Sequence, residues 1–525
     1  MPELVGDLIH YKASQTPAAP ALQFKDTTYT YAELAEEVSR FSAQLLEDGL
    51  QKGERIAIYL PKIPQAVVAM FGASRAGAVF VPINPLLKPN QVAYILKDCN
   101  VRVLITATDR FKLLREELEH CHDLRTVTLT DDKPLPDETH HLAVQRFAQE
   151  ISTQQSLPTV IDADVAAIMY TSGSTGNPKG VVLSHRNMIA GANSVATYLV
   201  NTPSDKLLAV LPFSFDYGLS QLTTAFSVGA QVVLMEYLLP RDVIKAVARY
   251  GITGLAAVPP LWNQLADLPW PDEAAQCLRY ITNSGGAMPI ATTQKLQASL
   301  PNTDFYLMYG LTEAFRSTYL PPDQVNIRPE SMGKAIPNAE VMVVREDGTE
   351  CAPGEVGELV HRGSLVSLGY WNDPAKTAER FKPAPAKAAE LTLPELAVWS
   401  GDQVKRDEEG YLYFVGRKDE MIKTSGYRVS PTEIEEVLYS SGLIKEAVAL
   451  GIPHPQLGQA VVLVMTHEQP VEERDILSAM QKELPNFMLP KAIYFVEALA
   501  RNQNGKIDRK TLYTTYANIF EESEQ

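Results

Sequence analysis

The stretch YTSGSTGNPKGVVLSH, residues 170–185, gathers the side chains an anionic ligand needs. Thr171, Ser172, Ser174 and Thr175 supply hydroxyls, and Lys179 adds a cation. Gly173, Gly176 and Gly180 permit positive φ and close backbone approach, so free N–H groups can form a concave nest for an anion. Together they suit a polyphosphate. A Walker loop would need Gly-Lys-Ser/Thr running into a helix. Here Lys179 is followed by Gly180 and then VVLS, which reads as a strand, so that reading fails. The bland alternative, a flexible hairpin loop with incidental polarity, does not account for so dense a set of glycines and hydroxyls.

A second stretch, LPFSFDYGLSQL (211–222), places Asp216 between Phe215 and Tyr217 in an apolar run. A carboxylate buried there without a partner loses several kcal/mol of hydration, so it requires one. The residues alone leave that partner open. A structural role is one possibility: Asp216 would cap a helix beginning near Tyr217, or serve the fold in another way.

These residues need a scaffold that presents loops from several elements at once. From about residue 30 the chain alternates helical and strand patterns: YAELAEEVSRFSAQLLEDG is an amphipathic helix ending at a glycine, and RIAIYL a short buried strand. PQAVVAMFGASRAG and AVFVPI repeat the alternation. It returns between 205 and 310 in KLLAVLPFSF, QVVLMEYL, ITGLAAVP, RYITNSGG and DFYLMYG. Such alternation predicts two layered, mostly parallel sheets covered by helices. Residues 382–398, rich in Pro and Ala, read as a surface loop. Beyond Arg417 the texture changes to short strands and two helices, the first opened by a capping box at Ser430 with Glu433.

The 525 residues exceed one core, and a net charge of −16 suits neither general nucleic-acid binding nor an unassisted nucleotide site. Local cations or a metal must therefore hold any nucleotide. No apolar run spans a bilayer and no secretory signal opens the chain, so neither membrane nor export is expected. Cys99, Cys121, Cys277 and Cys351 lie far apart without a CxxC pair, as suits a reducing cytoplasm.

The loop YTSGSTGNPKG resembles the signature of the adenylate-forming (AMP-binding) superfamily, which includes acyl-CoA synthetases, luciferases and amino-acid adenylation domains. Further motifs follow in family order over nearly the whole chain. NSGGAMP (283–289), with Gly285, Gly286 and Ala287, is similar to the adenine-side loop, and YGLTE (309–313) to the next nucleotide motif. SGD (400–402) stands where the family usually has TGD. GRKDEMIKTSGYRVSPTEIE (416–435) resembles the hinge and thiol-tunnel segment, and NQNGKIDR (502–509) the terminal lysine loop.

The resemblance implies an α/β fold: a large N-terminal domain of layered sheets and helices (1–418) and a small, mobile α+β C-terminal domain (419–525). It implies ATP and magnesium, with the phosphopantetheine thiol of a carrier protein or of CoA as cosubstrate. A carboxylate attacks the α-phosphate, pyrophosphate leaves, and the thiol then attacks the acyl adenylate. The first half brings an anion to an anion, so charge neutralisation and positioning must dominate. On this resemblance Thr312 touches phosphate, Glu313 binds magnesium, and Tyr309, beside Gly310, packs on adenine. Asp402 accepts from the ribose hydroxyls near Arg417, and Lys506 bridges carboxylate and phosphate oxygens. Asp419 is the hinge, and Gly426 lets the pantetheine arm pass.

Phe215 stands where many acyl- and aryl-CoA ligases carry His, and Phe-Asp instead resembles amino-acid adenylation domains, where the aspartate grips the α-ammonium. The following YGLSQL departs from their usual pattern. The whole chain looks closest to free-standing bacterial ligases, including those accompanying exosortase A systems. An amino acid, proline first, is the expected substrate. A fatty- or aryl-acyl-CoA ligase is the alternative, and a catalytically dead scaffold is disfavoured because Lys506, Glu313 and Asp402 are all present.

Overall fold

The structure, a computed structural model, describes residues 2–135, 142–147, 156–171, 178–385, 392–417, 420–424, 427–454, 456–467, 469–484, 486–502 and 505–520. Among these residues the strands form sheets of fourteen, seven and five members. The seven-stranded sheet runs parallel from Ala143–Arg146 to Val165–Thr171 and closes with an antiparallel hairpin to Lys179–Ser184.

One continuous part of the fourteen-stranded sheet is parallel, in the spatial order Asp304–Tyr309, Tyr280–Asn283, Gly254–Ala257, Lys206–Ala209, Gln231–Leu234, Pro20–Phe24. Gly254–Ala257 and Gln231–Leu234 are buried throughout, as short apolar runs covered on both faces must be. The chain steps from Lys206–Ala209 to one side and then crosses to the other. Reversal of this kind opens a crevice at the carboxyl ends of the strands, where open α/β sheets hold ligands.

Helix Tyr31–Glu47 follows its sequence signature closely. Thr30 and Glu33 form a reciprocal capping box, Leu34, Val38, Phe41 and Leu45 bury one stripe, and the chain turns at Gly49 with φ of 79°. Helix Pro431–Ser440 departs from expectation in detail. Ser430 accepts from the Glu433 N–H at 3.3 Å, but no return bond from Glu433 is made among the described residues. The Ser430 hydroxyl instead donates to the Val415 carbonyl, tying this helix to strand Leu412–Arg417.

Two further expectations are corrected. The ends of segment 382–398 are strands: Phe381–Pro383 pairs antiparallel with Leu396–Arg406, Phe381 opposite Val398 and Pro383 opposite Leu396. Pro383 is tolerated because its strand is an edge. Among the described residues, the region after residue 420 holds three α-helices rather than two. The third, Arg509–Tyr516, is capped by Asp508, which accepts from the Thr511 N–H at 3.0 Å. This region has its own apolar core, with Ile434, Leu463 and Met480 fully buried at its centre.

Helix Asp216–Val228 starts where the chain folds back on residues 211–212, and a Cβ on Gly218 would stand 2.1 Å from the Pro212 carbonyl oxygen. Backbone cannot yield as a side chain does, so Gly218→Ala should destabilise the protein by about 2–3 kcal/mol. A denaturant midpoint equal to that of the parent would contradict this packing.

Candidate active site

Four neighbouring parallel strands end at one edge of the large sheet, and each runs out into chemically equipped residues. Lys206–Ala209 leads to Phe215, Asp216 and Tyr217, and Gly254–Ala257 to Val258 and Pro259. Tyr280–Asn283 leads to Gly285, Gly286 and Ala287, and Asp304–Tyr309 to Gly310, Thr312 and Glu313. The second sheet contributes Thr171 and Lys179, cross-strand partners at the base of the hairpin. Asp402 and Arg417 face each other across an antiparallel pair, and Lys506 enters from the C-terminal region. All line one cleft of about 2250 Å³, larger than the few hundred to 1,000 Å³ of a typical small-ligand pocket. Ser172, Gly173, Ser174, Thr175 and Gly176, together with Asp419 and Gly426, lie outside the described residues.

Within the cleft, Lys179 sits 5.6 Å from the centre of the Tyr370 ring, and the Tyr370 hydroxyl donates to Glu313 Oε1 at 2.5 Å. Burial, then the Glu313 charge, holds the Tyr370 phenol protonated far above its usual range. Burial lowers the Lys179 pKa, and nearby Lys376 and Arg380 lower it further, so cations accumulate here. Arg380 lines the cleft and occupies the space a side chain on Gly401 would need: a Cβ there would meet Arg380 Nη1 at 2.1 Å. Nothing in the spacing of Tyr370 or Arg380 announced them. Gly180 is a glycine for room rather than for positive φ: it lies in the strand, and a Cβ would stand 2.7 Å from Ile168 Cγ2.

Across the cleft, the Tyr309 hydroxyl donates to Asp402 Oδ2, while Arg417 Nε lies 3.6 Å from Oδ1. Burial raises the Asp402 pKa, and Arg417 and Tyr309 oppose that shift. Gly285, with φ of 82°, lets the chain pass under Lys506, whose Cε would be 3.1 Å from a Cβ at that position. Lys506 Nζ stands 5.2 Å from the Phe215 ring centre. Among the described residues no three His, Cys, Asp or Glu side chains cluster as a metal site. Magnesium held mainly by phosphate oxygens needs only one or two carboxylates, and Glu313 keeps one oxygen beyond its bond to Tyr370. The residues fit a magnesium ion that arrives with its nucleotide.

Asp216 has a partner that the sequence reading did not name. Arg316 Nη1 donates to Asp216 Oδ2 at 3.0 Å, with side-chain exposures of 2% and 5%. The same nitrogen donates to the Phe315 carbonyl at 2.7 Å, and the guanidinium lies 4.8 Å over the Tyr217 ring. The capping alternative is not realised: the helix begins at Asp216 itself, and Phe215 occupies the cap position.

A model of the AMP-binding enzyme family matches residues 9–371, and one of the AMP-binding enzyme C-terminal domain matches 433–506. The chain belongs to the AMP-binding enzyme family. It is 30% identical to a long-chain-fatty-acid–CoA ligase of Salmonella typhimurium, over 96% of this chain and 93% of that one. It is also 28% identical to gramicidin S synthase 2 of Brevibacillus brevis, over 97% of this chain but 11% of that one. In fold it is similar to ATP-bound MatB from Rhodopseudomonas palustris, with a TM-score of 0.87, 24% identity and coverage of 99% and 100%. As an AMP-binding enzyme of the adenylate-forming superfamily, the chain is an ATP-dependent, AMP-forming acid–thiol ligase.

Burial lowers the Lys506 pKa, against which the Asp216 charge is the largest opposing influence. The ammonium is therefore lost as pH rises through a value below the ordinary lysine range. kcat/KM for adenylation should decline on the alkaline side within that lowered range. The decline should vanish from the residual activity of Lys506→Arg, since guanidinium keeps its charge. An identical alkaline limb in that variant would assign it to another group.

Proposed function

We propose that this ligase adenylates an amino acid and passes it to the phosphopantetheine thiol of a carrier protein. The observation that carries the reading is the placement of Asp216. Its carboxylate binds Arg316 through Oδ2 alone, leaves Oδ1 without a partner among the described residues, and lies close enough to raise the proton affinity of Lys506. A molecule whose carboxylate and ammonium are one carbon apart can reach both groups. The ammonium donates to Asp216, and the carboxylate lies between Lys506 and the α-phosphate.

Catalysis is then a matter of holding two anions together. Lys506 bridges the attacking carboxylate and the phosphate oxygens, while Lys179, Thr171, Thr312 and the glycine-rich loop hold the departing pyrophosphate. Glu313 would hold magnesium, which would supply further neutralisation of phosphate charge. Tyr309, with Gly285, Gly286 and Ala287, walls the adenine, and Asp402 with Arg417 takes the ribose. We place the domain boundary and hinge at Asp419. Rotation there withdraws Lys506 and brings the segment around Gly426 to the site for the thiol. We assign the reaction to the cytoplasm, where ATP is available and the four free cysteines stay reduced.

A second reading, a fatty- or aryl-acyl-CoA ligase, is favoured by the apolar stretch of wall formed by Val258, Pro259, Met288 and Met308. It also draws on the likeness to the long-chain-fatty-acid–CoA ligase. Pyrophosphate exchange into ATP decides between the two, with proline and the other amino acids in one panel and fatty and aryl acids in the other. Amino-acid-dependent exchange is expected, and exchange with fatty or aryl acids alone would overturn the first reading. Asp216→Ala is not diagnostic, because it strands a buried Arg316 on either reading.

A further inference from the structure

Two nitrogens of Arg316 do no visible work. Nη1 makes both of the side chain's hydrogen bonds, to Asp216 and to the Phe315 carbonyl. Nε and Nη2 are buried and meet no acceptor among the described residues. A buried guanidinium normally satisfies its whole fork, because each unpaired N–H retains its desolvation cost. Arg316 lines the cleft, and although Nε and Nη2 are covered as the side chains stand, a small shift of the guanidinium would present them to an acceptor there.

The backbone around Arg316 is shaped to hold it there. Phe315, the preceding residue, has a φ of 58°, a left-handed conformation that a bulky aromatic residue rarely adopts. It is seated against Gly191, where a Cβ would stand 2.4 Å from Phe315 Cδ1. The strained turn directs Arg316 back over Tyr217 instead of outward to solvent. Two more residues that line the cleft carry a buried, unpartnered polar atom: Ser214 Oγ, two residues before Asp216, and Asn283 Oδ1, at the end of its strand.

We infer that Arg316 is a specificity-determining residue, and that the acid this ligase activates carries a second polar group, an oxygen acceptor that takes the Nε and Nη2 protons. Because Asp216 already balances the Arg316 charge, a hydroxyl, carboxamide or carbonyl oxygen serves, and a full negative charge is not required. The inference rests on the cleft being the acyl site. On the amino-acid reading it selects polar side chains over plain proline, valine or leucine.

Pairs of acids matched in size test it in pyrophosphate exchange with the wild-type enzyme: valine against threonine, leucine against asparagine, butyrate against 3-hydroxybutyrate. The oxygen-bearing member of the accepted pair is expected to have a kcat/KM about 100-fold higher, since the apolar member leaves buried donors unpaired. Equal rates, or preference for the apolar member, overturn the inference. In Arg316→Lys, which keeps a cation beside Asp216 but lacks the Nε and Nη2 donors, the preference should fall to within a few-fold while ATP affinity is retained. Undiminished preference in that variant overturns the assignment to Arg316. The two proposals fail separately. Preference for proline or valine defeats this inference and leaves the amino-acid reading standing, whereas exchange with 3-hydroxybutyrate and with no amino acid does the reverse.

Discussion

The ion pair between Asp216 and Arg316 fastens the acyl side of the cleft. Asp216 follows strand Lys206–Ala209 and Arg316 follows Asp304–Tyr309, with two strands of the sheet between them. Their bond therefore spans the carboxyl ends of four strands and fixes the separation of loops that no backbone pairing joins. Breaking such a pair from one side costs roughly 3–5 kcal/mol, because a buried charge is left uncompensated. Tyr217, Phe315 and Gly218 are all placed by the same arrangement. The ring of Tyr217 lies under the guanidinium, and Gly218 allows the helix to begin against the Pro212 carbonyl.

Around this neutral pair the cleft solves a charge problem. The chain carries a net −16, yet it must bring a carboxylate to a triphosphate. Lys179, with Arg380 and Lys376 nearby, makes one part of the cleft locally cationic, and Lys506 enters from the C-terminal region. Three acidic residues inside are held by donors: Glu313 by Tyr370, Asp402 by Tyr309 and Arg417, Asp216 by Arg316. Carboxylates held by hydrogen-bond donors orient their remaining lone pairs, and a site that loses little freedom on binding can direct charge at the reacting atoms.

Much of this was legible in the residues. The parallel strands announced themselves as short apolar runs between amphipathic helices, and those motif residues that are described converge on one cleft. What escaped did so for physical reasons. Arg316 lies one hundred residues from Asp216, and such a pairing exists only once the sheet has ordered its strands. The cue available was a rule rather than a motif: a carboxylate in an apolar run needs a cation, and Arg316 stands three residues beyond Glu313. Helix Arg509–Tyr516 is short and rich in threonine, so its periodicity is faint and its stability comes from the Asp508 cap and buried Leu512. The Pro- and Ala-rich composition of 382–398 concealed edge strands, which need only one hydrogen-bonding side and so admit Pro383.

The central claim is that Lys506 serves the cleft in the adenylating half of the reaction and is withdrawn in the other. Single-turnover kinetics of Lys506→Ala measure it directly, with adenylate formation and thiol transfer from supplied acyl adenylate followed separately. Adenylate formation should fall by about 10²–10³-fold, as when a transition-state charge loses one donor, while transfer from supplied adenylate stays within a few-fold of the parent. Equal losses in the two halves, or undiminished adenylate formation, would contradict the account.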